Sequence, residues 1–521
     1  MISILASDPF RSAVERVQAA LRRSVSYPMV ESISLAKLDD VDFVVAINPD
    51  ALQSHALCRW IKTSHKKLIL LGRVSKELQI ALNLSVGEWP ASYESLAHSP
   101  QAVKGHTAES AAKVRYLPTA QALGAQNWSR PLERYDFAAE WNNLGYGAVR
   151  MDDSEWAAAS PLHAPTANEI AVIEANSETW ATYSALFDEP TYSTLWINRP
   201  VGTIDSFEWR LVENFISQWR HDEGIPCRPV LGDIPDGHDA AITMRLDCDE
   251  DISSARPLWE AYNEMQVPLS LAIHTMNLLT DQHASFLKEF TSAKQAILSH
   301  TATHAPRWGE NYENALGEGS VSRDAIRKAC GEDVRYAVSP FHQSPPYALA
   351  ALCDLGYKGC VGGIICNDPE FILARGGELA GLPRGFIGHS QQCMLHGDCL
   401  LTDGDPLRVY KEAVDLAVCT RSFFGFLDHP FSPRYQYGWQ DEHTRIQQHR
   451  KLIEYIRKAA VNPIFLDENT ALDFQARKSA LSIIKTQRGF ELSGDDQLGA
   501  LRFTIEYRGT LSRFESGAIL V

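Results

Sequence analysis

The stretch Ala240-Ala-Ile-Thr-Met-Arg-Leu-Asp-Cys-Asp-Glu-Asp251 decides how this chain is read, because an apolar, strand-like run passes straight into closely spaced carboxylates. In an extended chain, side chains two apart share a face. Asp247 and Asp249 therefore converge, able to serve one cation or one water, while Cys248 points the other way and reads as a small buried hydrophobe. Further along, the run Leu298-Ser299 ends in His300-Thr-Ala-Thr-His304, a pair of histidines that can offer two neutral imidazoles to one ion. A third apolar run, Phe423 to Leu427, ends in Asp428-His429. Apolar runs that each end in reactive side chains are what an α/β barrel produces, since its active site gathers at the C-terminal ends of its strands.

Composition narrows the alternatives. At 521 residues the chain exceeds one ordinary core, and 45% hydrophobic with 22% charged residues is a globular balance. The formal net charge of −16, without any Lys/Arg-rich segment, leaves no expectation of a nucleic-acid or anionic-membrane partner. The opening Met1–Phe10 reads as a first strand rather than a signal peptide, and no run approaches the roughly 18 apolar residues of a membrane span. Ten scattered cysteines without C-x-x-C spacing read as reduced thiols, which together with the missing leader leads to the expectation of a cytoplasmic protein.

Residues 1–225 open with alternating elements: strands Ile2–Ala6, Val41–Ile47 and Lys67–Leu71 with helical stretches Arg11–Arg23 and Ala51–Thr63 between them. That alternation predicts a parallel sheet of Rossmann or flavodoxin kind, in a domain of unassigned role. No G-x-G-x-x-G or phosphate loop accompanies it, so nucleotide binding is not expected. Residues 85–165 show no clear pattern; Ile170–Glu174 and Ser193–Asn198 read as strands, Ser206–Trp219 as a helix, and Asn198–Gly202 as a structural turn. The Pro/Gly-rich segment 224–237 reads as a linker. From 238 to 475, apolar runs recur near 240–246, 267–273, 295–299, 334–338, 358–362, 379–383, 422–427 and 462–466, predicting a distorted (β/α)7–8 barrel. Residues 476–521 alternate apolar and polar residues around glycines and read as a short β-rich C-terminal appendage.

The ordered motifs resemble the polysaccharide deacetylases of carbohydrate esterase family four, whose catalytic part is the NodB homology domain, and the resemblance covers about 238–475. It implies Asp247 as catalytic base beside Asp249 as metal ligand. The family's His-Ser/Thr-x-x-His is matched by His300 and His304, implying an Asp249, His300, His304 site for one divalent ion, zinc by its ligand types. Leu427-Asp428-His429 matches Leu-x-His and implies His429 as general acid. The middle motif departs from the pattern. In place of an Arg-Pro-x-Tyr-like sequence stands Ser339-Pro-Phe-His342-Gln-Ser-Pro-Pro346-Tyr347, where Tyr347 keeps at most a wall-forming role and the arginine is missing. Arg384, in Leu382-Pro383-Arg384-Gly385 at the end of the sixth run, reads equally as a replacement catalytic cation or as half of a structural ion pair.

The chemistry suits these residue types. An Asp-His-His face leaves coordination positions open, an aspartate can take a proton from water, and an imidazole can protonate a departing amine. A carboxylate partner for His429 is expected from Asp398, Asp403 or Asp405, since the adjacent Asp428 points elsewhere in a strand. His274, ending the second run, and Trp308, shortly after His304, are candidate substrate-binding residues with packing as the competing reading; His389 and His396 read as exposed loop histidines. The resemblance implies metal-dependent removal of an acetyl group from the 2-amino position of an N-acetylated sugar, in a nucleotide- or lipid-linked precursor of a surface polysaccharide. Two other readings stay open: an amidohydrolase of the same superfamily acting on a non-sugar amide, and a non-catalytic carbohydrate-binding or scaffolding protein. Oligomeric state is not legible.

Overall fold

The computed structural model describes residues 1–521 apart from 8–10, 98–104, 107–111, 133–156, 204–205, 279–280, 363–375 and 391–392, so parts of the stretch 85–165 lie outside the described residues. Two large sheets carry the fold. The first runs, in spatial order, Val30–Ser32, Ile2–Ala6, Phe43–Ile47, Lys66–Leu71, Tyr192–Ile197, Glu178–Glu189, Glu169–Ala175, Lys113–Tyr116 and Ser129–Pro131. It is parallel as far as Tyr192–Ile197 and antiparallel beyond. The sheet is thus mixed, where the opening alternation predicts a parallel one. The cause is local: early strands are separated by helices, whereas only Asn176 and Ser177, both at positive φ, separate Glu169–Ala175 from Glu178–Glu189. A two-residue turn of that kind joins only antiparallel neighbours.

The second sheet centres on Ala240–Cys248, every residue of which is buried. Its spatial order is Gly377–Glu378, Ile387–Ser390, Gly359–Gly362, Tyr336–Val338, Ala296–Ser299, Ser270–Ile273, Ala240–Cys248, Phe423–Asp428 and Cys393–Met394, with Pro463–Leu466 also pairing with Ala240–Thr243. All pairings but that of Gly377–Glu378 are parallel. Gly377–Glu378 and Cys393–Met394, the two ends of the path, do not pair with each other among the described residues. Alternation along the central strand sorts its faces. Ile242, Met244, Leu246 and Cys248 join an apolar layer with Leu258, Trp259, Tyr262 and Leu452 of the surrounding helices, while Arg245 and Asp247 take the other face.

One expected strand is displaced. The sixth run, 379–383, is a turn: Gly381 and Gly385 adopt φ 75° and 85° with Pro383 between them, and the parallel strand is Ile387–Ser390. Arg384 therefore precedes a strand instead of ending one. The segment 224–237 is packed rather than a free linker; Val230–Leu231 pairs with Ile505–Glu506, and Asp233 meets Lys478 in a buried ion pair. At the C-terminus, helix Glu468–Ala480 runs past 476, and the strands that follow place Ile483, Phe490, Phe503 and Phe514 in one buried cluster with Ile2, Val17, Phe215 and Phe423. No helix among the described residues is long and apolar enough to cross a membrane.

Candidate active site and metal centre

The C-terminal ends of the barrel strands enclose a cavity of about 240 Å³ lined by Asp247, Asp249, His300, His304 and His429, with Ser339, Phe341, His342, His396, Asp398 and Tyr437 completing the wall. Asp249, His300 and His304 offer ligand atoms that all lie within 4.8 Å of one another. Asp249 Oδ1 is 3.1 Å from His300 Nε2 and 3.4 Å from His304 Nε2, and the two Nε2 atoms are 3.1 Å apart.

The surroundings explain why these atoms converge. His300 Nδ1 lies 3.0 Å from the Val338 carbonyl; donation there leaves Nε2 as a bare lone pair aimed at Asp249. His304 is placed by its loop. Glu318, on helix Tyr312–Cys330, accepts from the N–H groups of Ala302 and Thr303 (2.8 Å each) and from the Thr303 hydroxyl. Thr301 and His304 sit at φ 67° and 54°, and Phe341 and His342 across the cavity at 52° and 57°. Left-handed non-glycine residues cost on the order of 1 kcal/mol each, and such strain gathers at functional sites. The structure tests whether a cation fits. Asp249 Oδ1 is buried without a hydrogen-bond partner, and two imidazole Nε2 atoms face it at close range. A divalent ion satisfies that oxygen and both lone pairs at once, and carboxylate plus imidazole suits zinc.

Asp247 stands beside this group and is held by its own strand. Arg245 Nε donates to Asp247 Oδ1 (2.5 Å) and Nη2 to Oδ2 (3.3 Å), with Glu468 Oε1 3.5 Å behind the guanidinium. Burial alone raises the Asp247 pKa; the Arg245 charge, then His300, outweighs it and holds the carboxyl at about 2. Asp247 is thus ionised throughout the neutral range. His429 Nε2 lies 3.3 Å from Asp249 Oδ2, so a candidate base and a candidate acid flank the same space.

Other residues singled out in the sequence fall elsewhere. Arg384 is absent from the cavity wall: its guanidinium covers the Tyr27 ring at 4.3 Å and lies 3.7 Å from Glu378, and the cation beside Asp247 comes from Arg245 instead. Trp308 is 0% exposed and donates to the Gln343 carbonyl, so its ring is core and presents no face to a sugar. Tyr347 begins a helix outside the cavity wall and donates its hydroxyl to the Arg307 carbonyl. His274 supports the site from behind; its Nδ1 lies 2.9 Å from the Asp249 carbonyl, which also accepts from Asn277. Asp405 is engaged by Lys411 and the Leu407 N–H, and Asp403 is exposed. Of the expected carboxylates only Asp398 reaches the cavity. His396, read as exposed, is 4% exposed and lies beside His429. Sequence reasoning missed Arg245, Phe341, His342 and Tyr437. Arg245 alone left a signal: it is the one charge in its strand before Asp247, two positions ahead of the expected base and so on its face.

Residues 256–360 match a family model described as polysaccharide deacetylase. The family resemblance drawn from the motifs holds. The matched segment contains His300 and His304; Asp247 and Asp249 precede it and His429 follows it. Solved structures similar to the chain include a putative polysaccharide deacetylase from Mycobacterium smegmatis (13% identity, 46% of this chain and 92% of that one, TM-score 0.37). Others are the chitin deacetylase of the fungal pathogen Colletotrichum lindemuthianum (12%, 44% and 86%, 0.31) and a family 4 acetyl xylan esterase from Clostridium thermocellum in complex with a cobalt ion (11%, 45% and 90%, 0.31). No curated protein matches the chain.

Proposed function

We propose that the barrel is a metal-dependent N-deacetylase that hydrolyses the acetamide of an amino sugar in a surface-polysaccharide precursor. The observation that carries this reading is the convergence of a metal-competent Asp249, His300, His304 group with Asp247 and His429 on one cavity. A divalent ion held by those three residues would polarise an amide carbonyl and acidify a water. The chain's own residues do the rest. Asp247, kept ionised by Arg245, takes a proton from the attacking water, and His429 delivers one from Nε2 to the departing nitrogen. Phe341, 39% exposed, and Tyr437 line the cavity wall, giving aromatic surface suited to a pyranose ring. The test is acetate release from nucleotide- and lipid-linked N-acetylated amino sugars, with simple non-sugar acetamides as comparators. Turnover confined to the sugars is expected; turnover confined to the non-sugar amides overturns the substrate assignment.

A further inference from the structure

A second cavity lies away from the catalytic one, where three regions of the chain meet. It measures about 210 Å³, and its walls include Arg210, Ser217 and Gln218 from the N-terminal region, Arg421 from the barrel, and Glu506 and Thr510 from a C-terminal hairpin. Arg421 follows helix Arg408–Thr420 and stands just before strand Phe423–Asp428. His429 follows the far end of that strand, roughly 20 Å away by the rise of an extended chain. A ligand bound in this cavity is therefore remote from the candidate catalytic groups.

The two arginines of this cavity are not matched alike. Arg210 Nη1 lies 3.4 Å from Glu213 Oε2, and its Nη2 pairs with Glu506. Arg421 has no such partner: among the described residues its side chain makes one hydrogen bond, from Nη2 to the His238 carbonyl (3.2 Å), and no ion pair. Burial pushes Arg421 below the usual arginine range; Glu506 and Asp239 oppose that, and the Arg210 charge adds to it. A helix C-terminus favours a cation, but it supplies no acceptor for the remaining N–H groups of this guanidinium. Two guanidiniums and one carboxylate thus line the cavity, in a chain whose formal net charge is −16.

We infer that this cavity binds a phosphoryl group, held by Arg421 together with Ser217, Gln218 and Thr510. A guanidinium offers two parallel N–H groups to neighbouring oxygens of one anion, and a phosphate keeps further oxygens for donors on other walls. Those donors are present. Ser217 closes helix Ser206–Ser217 and Gln218 follows it, while Thr510 opens strand Thr510–Arg513, so hydroxyl and amide groups come from two further elements. A carboxylate, planar and with only two oxygens, would leave one of these walls unmet. The volume suits a small anion or a terminal phosphate, since pockets for drug-sized ligands begin near about 300 Å³. Bound there, the anion would touch the N-terminal helix, the barrel and the C-terminal hairpin at once and clamp them together. The inference is independent of the deacetylase reading.

The test is calorimetric titration of inorganic phosphate into the full chain carrying His300→Ala/His304→Ala, where no metal centre competes for the anion. One phosphate per chain is expected to bind. Arg421→Gln in that background should weaken it about 10–100-fold, the range set by lost hydrogen bonds to a charged group, and Thr510→Val, at an exposed position of the hairpin, about 10-fold. Methyl phosphate in place of the free ion separates the two sources: equal or tighter binding assigns the site to a phosphate monoester, weaker binding to inorganic phosphate. Absence of saturable binding up to about 10 mM phosphate overturns the inference, as does acetate or chloride binding as tightly as phosphate. Hydrogen exchange on unsubstituted protein supplies a readout that no variant's folding can confuse. Exchange across Thr504–Tyr507 and Thr510–Arg513 should slow when phosphate is added, because a ligand of the native state suppresses local opening. Exchange indifferent to phosphate, or full phosphate affinity in Arg421→Gln, leaves Arg421 a packing role and overturns the inference.

Discussion

Both large sheets end their parallel strands in polar residues, yet among the described residues only the barrel gathers them into a metal-competent group. In the N-terminal sheet those residues are satisfied among themselves. Asn48 Oδ1 accepts from the Arg73 N–H (2.6 Å), and Asn198 donates to the Ser160 and Thr182 carbonyls (2.7 and 3.0 Å) while accepting from the Ser160 N–H. In the barrel, Asp249 Oδ1 is left buried without a hydrogen-bond partner, facing imidazole nitrogens across a cavity. Polar strand ends alone are therefore a weak signal. Convergence with unmet hydrogen-bonding capacity is what separates a site from a well-capped turn.

This contrast can be broken first at the metal group. Replacing His300 and His304 together by Ala should reduce bound divalent ion, measured by elemental analysis, from about one per chain to near none, because neighbours cannot replace lost ligands. Retention of stoichiometric ion in the double variant breaks the assignment. Next comes Asp247→Asn, which should keep the ion and lose at least about 100-fold in turnover, the scale of general-base removal. A variant that loses the ion instead would make Asp247 a ligand.

The N-terminal sheet should respond in the opposite sense. Asn198→Ala removes the amide donor shared by the Ser160 and Thr182 carbonyls and the acceptor of the Ser160 N–H, which should lower unfolding free energy in urea by about 1–3 kcal/mol while metal content stays unchanged. Loss of metal without loss of stability would mean that the two regions are coupled in a way the hydrogen bonds do not suggest. An effect of similar size, but dependent on pH, is expected at His342, which burial holds at about 3 against an ordinary 6.5. Its folded pKa is depressed, so below about pH 6.5 the unfolded state takes up a proton that the folded state refuses, and stability falls as pH falls. Metal-free wild type should therefore lose stability relative to His342→Gln by about 1.4 kcal/mol per pH unit between about pH 6 and pH 4. A difference independent of pH would place His342 in a more solvated setting.

How much of this was legible in the sequence depends on where each group's partners lie along the chain. Asp247 with Asp249, and His300 with His304, declare themselves because both members of each pair sit in one strand end or one loop, where spacing alone fixes relative direction. His396 and Tyr437 do not, because they reach His429 only when two distant loops lock at Gly397 and Gly438. Of the two readings open for Arg384, its approach to Glu378 favours the structural ion pair, and what failed was the strand boundary: the run 379–383 is apolar enough for a strand, but Gly381, Pro383 and Gly385 bend it into a turn and move the strand to Ile387–Ser390. The barrel's strand-by-strand periodicity was readable throughout its parallel core, whereas the mixed N-terminal sheet was not, since antiparallel additions depend on turns such as Asn176-Ser177 that composition hardly marks. Trp308 shows the same limit from the other side, a large aromatic near a site whose burial no spacing reveals.

The most direct test of the central claim is acetate release from an N-acetylated amino sugar as divalent ion is returned stepwise to chelator-treated protein. The geometry of Asp249, His300 and His304 predicts that activity is absent without the ion and rises to a plateau that breaks at one equivalent per chain, with no rise in the His300→Ala/His304→Ala protein. Acetate release at full rate by the metal-free protein, or a rise that the double variant shares, would contradict it.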